Sequence, residues 1–532
     1  MLGFVYWNDA IISSNEVAFN GATTSGCIVG MLFFGLTADI FGRRKMYGLE
    51  LILLMAGTIG VVMSSTGYVP LDQVNPENLE SIDYGSFGSM NIHSWLLFWR
   101  FISGVGIGGD YPLSAVIVSE FSSTKRRPQL LAIVFAMQSL AITTGSIVSL
   151  IVAKVVQAHH TYDPANPVAS ARIVDQMWRW VFGLGLFPAL FTAIMRFTIP
   201  ESPRYTLDVL DDPSKALRET ERFSAVDSWI EMSEHPSDDD ISEASQYLHE
   251  RNIEVVPVSN GQDKNVVQPD YTLVQYFWVE GYWKYIFATS LSWFLVDFAL
   301  YSLDLNSTPT ISKLWYNSYT VKNSKVWNSH PMDPNASIFS IIIENSIHSL
   351  LITSAPAITG AVLLILLINR LNRKRLTWVM FLVSGTMLVV TGAALKAPKN
   401  HRPGIGLTLY ALCKLANVFG VGPLTFIIPA ELFPTKYRAS CHGISAAIGK
   451  LGSVIAFIFA DFITFGQGAS KITSFNSPIT WLSNILMIFA APMFLGALVC
   501  WLWLPDLQDS SGENKILELL ASGEQRTATE ND

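Results

Sequence analysis

The chain has 532 residues, of which 50% are apolar and only 15% charged, with a formal net charge of −8. A soluble globular chain carries about 25% charged residues. The composition therefore points to a membrane-embedded protein, and the negative balance excludes a basic nucleic-acid-binding surface.

In chain order, the opening "MLGFVYWNDAIISSNE" lacks a basic n-region and a small-residue cleavage site, so a cleaved secretory leader is not expected. A helix crosses a bilayer with about 20 predominantly apolar residues. Runs of that kind cover 22–40, 46–66, 94–120, 129–155, 177–198, 284–303, 337–368, 376–395, 405–429, 440–464 and 478–505, which is eleven in all. The connections "FGRRK" (41–45), "TKRR" (124–127), "NRKR" (372–375) and "PTKYR" (434–438) are basic. By the positive-inside rule these lie on the cytoplasmic side. The loop 304–336 then lies outside, with two N-x-[ST] matches at Asn306 and Asn335. The long polar stretch 200–283, with "SEHPSDDDISEAS", is expected to be cytoplasmic and largely disordered. The expected organisation is an N-terminal bundle (1–199), a central loop (200–283), a C-terminal bundle (284–505) and a cytoplasmic tail (506–532).

The two halves echo one another. "GLTADIFGRRK" (35–45) follows the first run of one half, and "LLINRLNRK" (366–374) follows the second run of the other. That offset predicts a further transmembrane helix upstream of Met1; the alternative is an eleven-span protein. The cysteines Cys27, Cys413, Cys441 and Cys500 are scattered through apolar runs with no metal-ligand or disulfide spacing. No metal or cofactor is expected, and no nucleophile–base pair or phosphate-binding loop argues for an enzyme.

"GVGIGGDYPLSA" (104–115) contains G-x-G-x-x-G through Gly104, Gly106 and Gly109. A dinucleotide site needs a strand before this motif, a helix opening after it and an acidic residue about 20 positions on. None is present. Within a membrane helix such glycines serve close helix approach. Asp110, in the same stretch, costs roughly 2.5–3.5 kcal/mol to place near a bilayer centre. Either it faces a cavity and works there, or a structural partner holds it. Arg100, ten residues earlier, lies about 15 Å away along the axis, too far for a direct pair within the helix.

The same rule picks out Gln138, Asp297 and Lys450 within apolar runs. Trp293 and Tyr301 stand four residues either side of Asp297, on one face of an α-helix. With Tyr111 these groups make a lining suited to an oxyanion. A carboxylate beside an oxyanion requires a proton on one of them, so substrate and proton would favour each other's binding. Taken singly, the tryptophan and tyrosines read equally well as packing or interfacial anchors.

"GLTADIFGRRK" resembles the cytoplasmic signature of the major facilitator superfamily. "GIGGDYPLSA", "PESPRYT", "WFLVDFALY" and "PAELFPTKYRASCHGISAAIGKLG" look like its fungal and plant phosphate:proton symporters, over nearly the whole chain. The resemblance implies an all-α membrane protein with two six-helix bundles, here with its first helix missing. It implies a phosphate site at Tyr111, Gln138, Trp293, Asp297, Tyr301 and Lys450, and proton coupling through Asp110, Arg100 and Asp297. It also implies a cytoplasmic gate at Gly35, Asp39, Gly42, Arg43 and Arg44. The partners implied are inorganic phosphate (or a phosphate ester), protons and the lipid bilayer, with no nucleic acid, at the plasma membrane. Two departures stand out. Gly422 occupies the place of a phosphate-contacting asparagine, and Asn369 and Asn372 replace an acidic residue and a glycine in the second-half echo. The leading expectation is proton-coupled phosphate import. An organophosphate or glycerophosphodiester transporter, and a non-transporting phosphate sensor or inactive relative, are the alternatives.

Overall fold

The computed structural model describes residues 5, 14–65, 91–160, 167–210, 212, 214–216, 274–279, 281–301, 311, 337–396, 403–465 and 478–508. The sequons at Asn306 and Asn335, most of the 200–283 loop and residues 509–532 lie outside them. The described residues fold into helices α1 (Ser14–Phe41), α2 (Arg43–Met46), α3 (Leu49–Met63), α4 (Ile92–Phe121), α5 (Arg127–His159), α6 (Pro167–Leu184), α7 (Leu186–Arg196) and α8 (Pro203–Asp208) in the first half. The second half holds α9 (Trp283–Val296), α10 (Ile338–Ser349), α11 (Ala355–Leu367), α12 (Arg373–Lys396), α13 (Pro403–Phe419), α14 (Val421–Leu432), α15 (Arg438–Phe465) and α16 (Pro478–Trp503).

Ten segments among the described residues are long and apolar enough to cross a membrane. Four join two helices: α2 with α3, α6 with α7, α10 with α11, and α13 with α14. The other expected run, 284–303, is not among the ten. It folds as α9 and continues through a π-helical turn, Asp297–Tyr301. Lys284, Asp297 and its serines make it too polar to stand out by hydropathy. Large apolar side chains point outward, including Phe187 at 71% exposure and Trp180 at 64%. Such a surface suits lipid rather than water.

The glycines of 104–109 work as helix contacts. A Cβ at Gly104 would collide with the Thr23 carbonyl oxygen of α1, and one at Gly106 would stand 2.5 Å from the Glu50 carbonyl of α3. One at Gly109 would strike the Phe34 ring. Backbone against backbone cannot repack as side chains do, so overpacking here costs at least about 1–3 kcal/mol. Gly104→Leu is therefore expected to abolish recovery of monodisperse protein on size exclusion. A monodisperse peak with an unchanged melting midpoint would refute the close crossing of α1 and α4.

Candidate functional site

Between the halves lies a cavity of about 60 Å³. One water needs roughly 10–15 Å³ on this measure, so the space takes a small polyatomic ion. The first half contributes Tyr111 from α4, and Phe135, Gln138, Ser139 and Ile142 from α5. The second half contributes Trp293, Asp297, Lys414, Asn417, Gly422, Thr425 and Lys450 among others. Five of the six residues expected at the substrate site thus meet in one place from four different helical segments. For the sixth, Tyr301, the backbone is described and the side chain is not.

At its centre is an ion pair. Lys450 Nζ lies 3.0 Å from Asp297 Oδ2, and Ser453 Oγ donates to the same oxygen at 3.2 Å. Asp297, Lys450 and Trp293 are all buried. The ammonium stands 5.5 Å from the centre of the Tyr111 ring. Trp293 packs edge-on against His442, whose Nε2 bonds to the Phe426 carbonyl oxygen at 3.1 Å. Asp297 opens the π-helical turn, a widened turn that recurs at functional sites. The α-helical spacing assumed between Asp297 and Tyr301 therefore does not apply to that step.

Among the cavity residues not singled out from the sequence, two stand out chemically. Lys414 and Asn417 both lie on α13. Lys414 sits inside the apolar run 405–429 and is found by the same ionisable-group rule that picks out Lys450. Asn417 Oδ1 is buried without a hydrogen-bond partner, which costs about 1–3 kcal/mol unless a ligand satisfies it. Gly422 opens no extra room: a Cβ there would stand 3.2 Å from Asn417 Oδ1 and 3.5 Å from the Phe135 ring. The Asn417 carboxamide, from the preceding helix, occupies the space beside Gly422.

Asp110 does not line this cavity. Its Oδ1 lies 2.7 Å from Arg196 Nη1 and accepts a 2.7 Å bond from Ser114 Oγ. Arg196 also holds the buried Glu50 carboxylate at 2.6 Å. Its partner is therefore an arginine 86 positions on, at the end of α7. The Arg100 guanidinium instead lies 4.6 Å over the Phe19 ring and 5.6 Å from that of Phe182.

The gate residues close the end that carries the basic loops. Asp39 pairs with Arg43 at 3.0 Å and accepts from Ser440 Oγ at 2.6 Å across the halves. Arg43 pairs with Glu120 at 3.2 Å and donates to the Thr435 carbonyl at 2.6 Å. Arg438 holds Glu120 from the other side at 3.2 Å. Gly42 has φ +98°, and a Cβ there would stand 2.6 Å from Glu201 Oε2. That carboxylate accepts from the backbone N–H groups of Arg43 and Arg44 at 2.9 and 3.1 Å. Tyr205 packs on Arg43, and burial pushes its phenol above its ordinary range. Gly35 lets α15 approach: its Cβ would meet the Ala439 carbonyl at 2.8 Å. In the second-half echo, Arg373 pairs with Glu431 at 2.9 Å, and Asn369 donates to Gln129 at 3.3 Å across the halves. Asn372 instead caps its own helix, accepting from the Arg375 backbone N–H at 2.9 Å. At the opposite end, α5 and α10 meet through Ser146 and Ser349 at 3.2 Å and an apolar cluster around Phe339 and Met177. Contacts between the halves thus flank the cavity on both sides.

The family model described as "Sugar (and other) transporter" matches residues 12–254 and 338–508. The chain belongs to this family of the major facilitator superfamily. It is 30% identical over 538 residues to the repressible high-affinity phosphate permease of Neurospora crassa, covering 99% of this chain and 83% of that one. It is also 30% identical to the inorganic phosphate transporter PHO84 of Saccharomyces cerevisiae, covering 93% of this chain and 76% of that one. The proton:xylose symporter XylE shares the fold, with a TM-score of 0.64 at 18% identity over 98% of this chain and 92% of that one. The protein is a multi-pass membrane protein of the major facilitator fold.

Proposed function

We propose that the protein imports inorganic phosphate together with protons across the plasma membrane, by alternating access of the one cavity to the two sides. The observation that carries this reading is the buried Lys450–Asp297 pair within a small cavity lined from both halves. Two relatives that match nearly the whole chain are named for phosphate. Lys450, Gln138, Trp293 and the phenol of Tyr111 donate to phosphate oxygens. Asp297 is the carboxyl group that must share a proton with the anion, which links the two bindings. Inorganic phosphate is the better reading than a glycerophosphodiester, because Asn417 and Phe135 fill the space beside Gly422.

The experiment is uptake of labelled phosphate by a host without phosphate transporters of its own, at external pH 5 and pH 7. Acid-stimulated uptake, abolished by a protonophore and competed by phosphate but not by glycerophosphodiesters, is the expected result. Competition by the diesters alone would transfer the assignment to them, and absence of any uptake with the protein at the surface would favour a sensor.

A further inference from the structure

We propose that His442 is the positioning residue that couples the ion in the cavity to the gate. It backs the Trp293 wall of the cavity, ties α14 to the start of α15, and carries a buried nitrogen that only an opened, wetted gate satisfies. The inference rests on the phosphate reading above and deepens it by naming the residue through which the bound ion acts on the gate.

His442 lies about one turn into α15 and is fully buried. Its ring stands edge-on to Trp293, with centroids 5.6 Å apart, and edge-on to Phe426 of α14 at 5.2 Å. Trp293 lines the cavity, and a Cβ at Gly449 would stand 2.5 Å from its Cδ1. The indole is therefore boxed between the α15 backbone and the His442 ring. A close-packed interior transmits strain, so a shift that an ion forces on the indole reaches His442. The same stretch of α15 also abuts the first half. A Cβ at Gly443 would collide with the Met31 carbonyl oxygen of α1. The backbone N–H groups of Ala439 and Ser440 donate to the Asp39 carboxylate at 3.3 and 2.7 Å, so the start of α15 is itself part of the gate. His442 thus touches a cavity wall and stands two residues from a gate contact.

The nitrogens give the coupling a direction. Nε2 lies 3.1 Å from the Phe426 carbonyl oxygen. A carbonyl only accepts, so in the neutral ring Nε2 carries the hydrogen and Nδ1 keeps a bare lone pair. Nδ1 is buried and has no hydrogen-bond partner. A buried acceptor left unsatisfied is destabilising, and phenylalanine or methionine would fill the same space without that penalty. Packing alone therefore gives no reason for a histidine at 442. Opening of the gate does. Trp293 and Phe426 share one apolar cluster with Cys27, Met31 and Ala115 of the first half. When α1 parts from α15 the cluster breaks, water enters, and a water hydrogen reaches Nδ1. Only the closed arrangement bears the penalty, so His442 shifts the balance towards opening. The bond from Nε2 to Phe426 meanwhile keeps α14 with α15 as the gate moves.

The test uses the purified full chain with its four cysteines replaced and Ala439→Cys, at a fully buried position, as the gate reporter. Maleimide labelling is timed without ligand and with saturating inorganic phosphate, so that a change in Kd does not enter, and binding itself is read by quenching of intrinsic tryptophan fluorescence. Phosphate is expected to speed labelling of the reference protein at least threefold. His442→Phe keeps a ring and loses both nitrogens. It should still bind phosphate, label at least fivefold more slowly without ligand, and lose the response to phosphate. His442→Gln carries an N–H donor at the Nε2 position and a second polar atom beside it, and should restore both the basal rate and the response. A residue that only filled space would rank the other way, with phenylalanine the better substitute. If the phenylalanine variant folds poorly, His442→Met, which matches glutamine in length without its amide, takes its place. A full response to phosphate in His442→Phe or His442→Met would overturn the coupling and leave the phosphate site standing, as would a reference protein that binds phosphate with no change in labelling. No binding of phosphate by the wild-type protein would overturn the phosphate reading itself, and this inference with it.

Discussion

Lys450→Gln is expected to lower labelled-phosphate uptake at least a hundredfold at saturating protein expression. The ammonium is 3.0 Å from Asp297 Oδ2 and buried. Removing one member of a buried ion pair costs about 3–5 kcal/mol, because the remaining charge is left uncompensated. A hydrogen bond from a charged donor to a phosphoryl oxygen is worth about 1.5–3 kcal/mol, and about 1.4 kcal/mol is a factor of ten. The lost donor alone accounts for a factor of ten to a hundred. The uncompensated Asp297 carboxylate then repels the incoming anion and adds to the loss. The reciprocal variant behaves differently. Asp297→Asn keeps the ammonium and removes the acid, so phosphate binding is expected to survive within a few-fold while acid stimulation of uptake disappears. The double variant should be better folded than Lys450→Gln, since it leaves no unpaired charge, and the cycle yields the coupling between the two residues. Uptake by Lys450→Gln within threefold of the native protein would remove the ion pair from the mechanism. Retained acid stimulation in Asp297→Asn would remove Asp297 from the proton path.

What was legible in the sequence follows the physics of the bilayer. Apolar runs of about 20 residues have one structural outcome there, because every backbone polar group must be satisfied within the segment. Ionisable groups are costly enough inside a run to be conspicuous, which is why Asp297 and Lys450 could each be picked out as candidates from the sequence. Their 3.0 Å contact could not, because position along the chain does not say which helices face. The same gap explains Asp110. Its position was conspicuous, but its partner Arg196 lies on another helix, and the within-helix candidate Arg100 stacks on aromatic rings instead. The π-helical turn at Asp297–Tyr301 has no periodicity signature in so short a stretch. Asn417 was passed over although Gln138, an amide in a similar run, was picked out: nothing along the chain separates an amide that faces a cavity from one that faces a neighbouring helix, and Asn417 stands out only when Gly422 is seen beside it.

Arg43→Gln is expected to open the end of the protein that carries the basic loops. The gate there holds two acids, Asp39 and Glu120, against two arginines, Arg43 and Arg438, with all four side chains nearly inaccessible. Both signs cross between the halves: Ser440 donates to Asp39, Arg438 reaches Glu120, and Arg43 reaches the Thr435 carbonyl. Taking away Arg43 leaves one buried negative charge in excess, at a cost of about 3–5 kcal/mol. Separation of the halves admits water and relieves that cost, so the closed arrangement loses a factor on the order of 10² to 10³ against the open one. A cysteine placed at Ala439, which is fully buried against Ala38 and Phe34, reports the opening in a background lacking the four native thiols. Maleimide labelling of that cysteine is expected to speed up more than tenfold in Arg43→Gln, with a parallel fall in phosphate uptake, because a carrier held open on one side no longer cycles. Adding Glu120→Gln removes the excess charge and should return labelling most of the way to the reference rate. Arg43→Lys should recover less than that: its single ammonium cannot reach Asp39, Glu120 and the Thr435 carbonyl together as the planar guanidinium does. Unchanged labelling in Arg43→Gln would mean that apolar packing of α1 against α15, rather than the charge network, keeps this end shut.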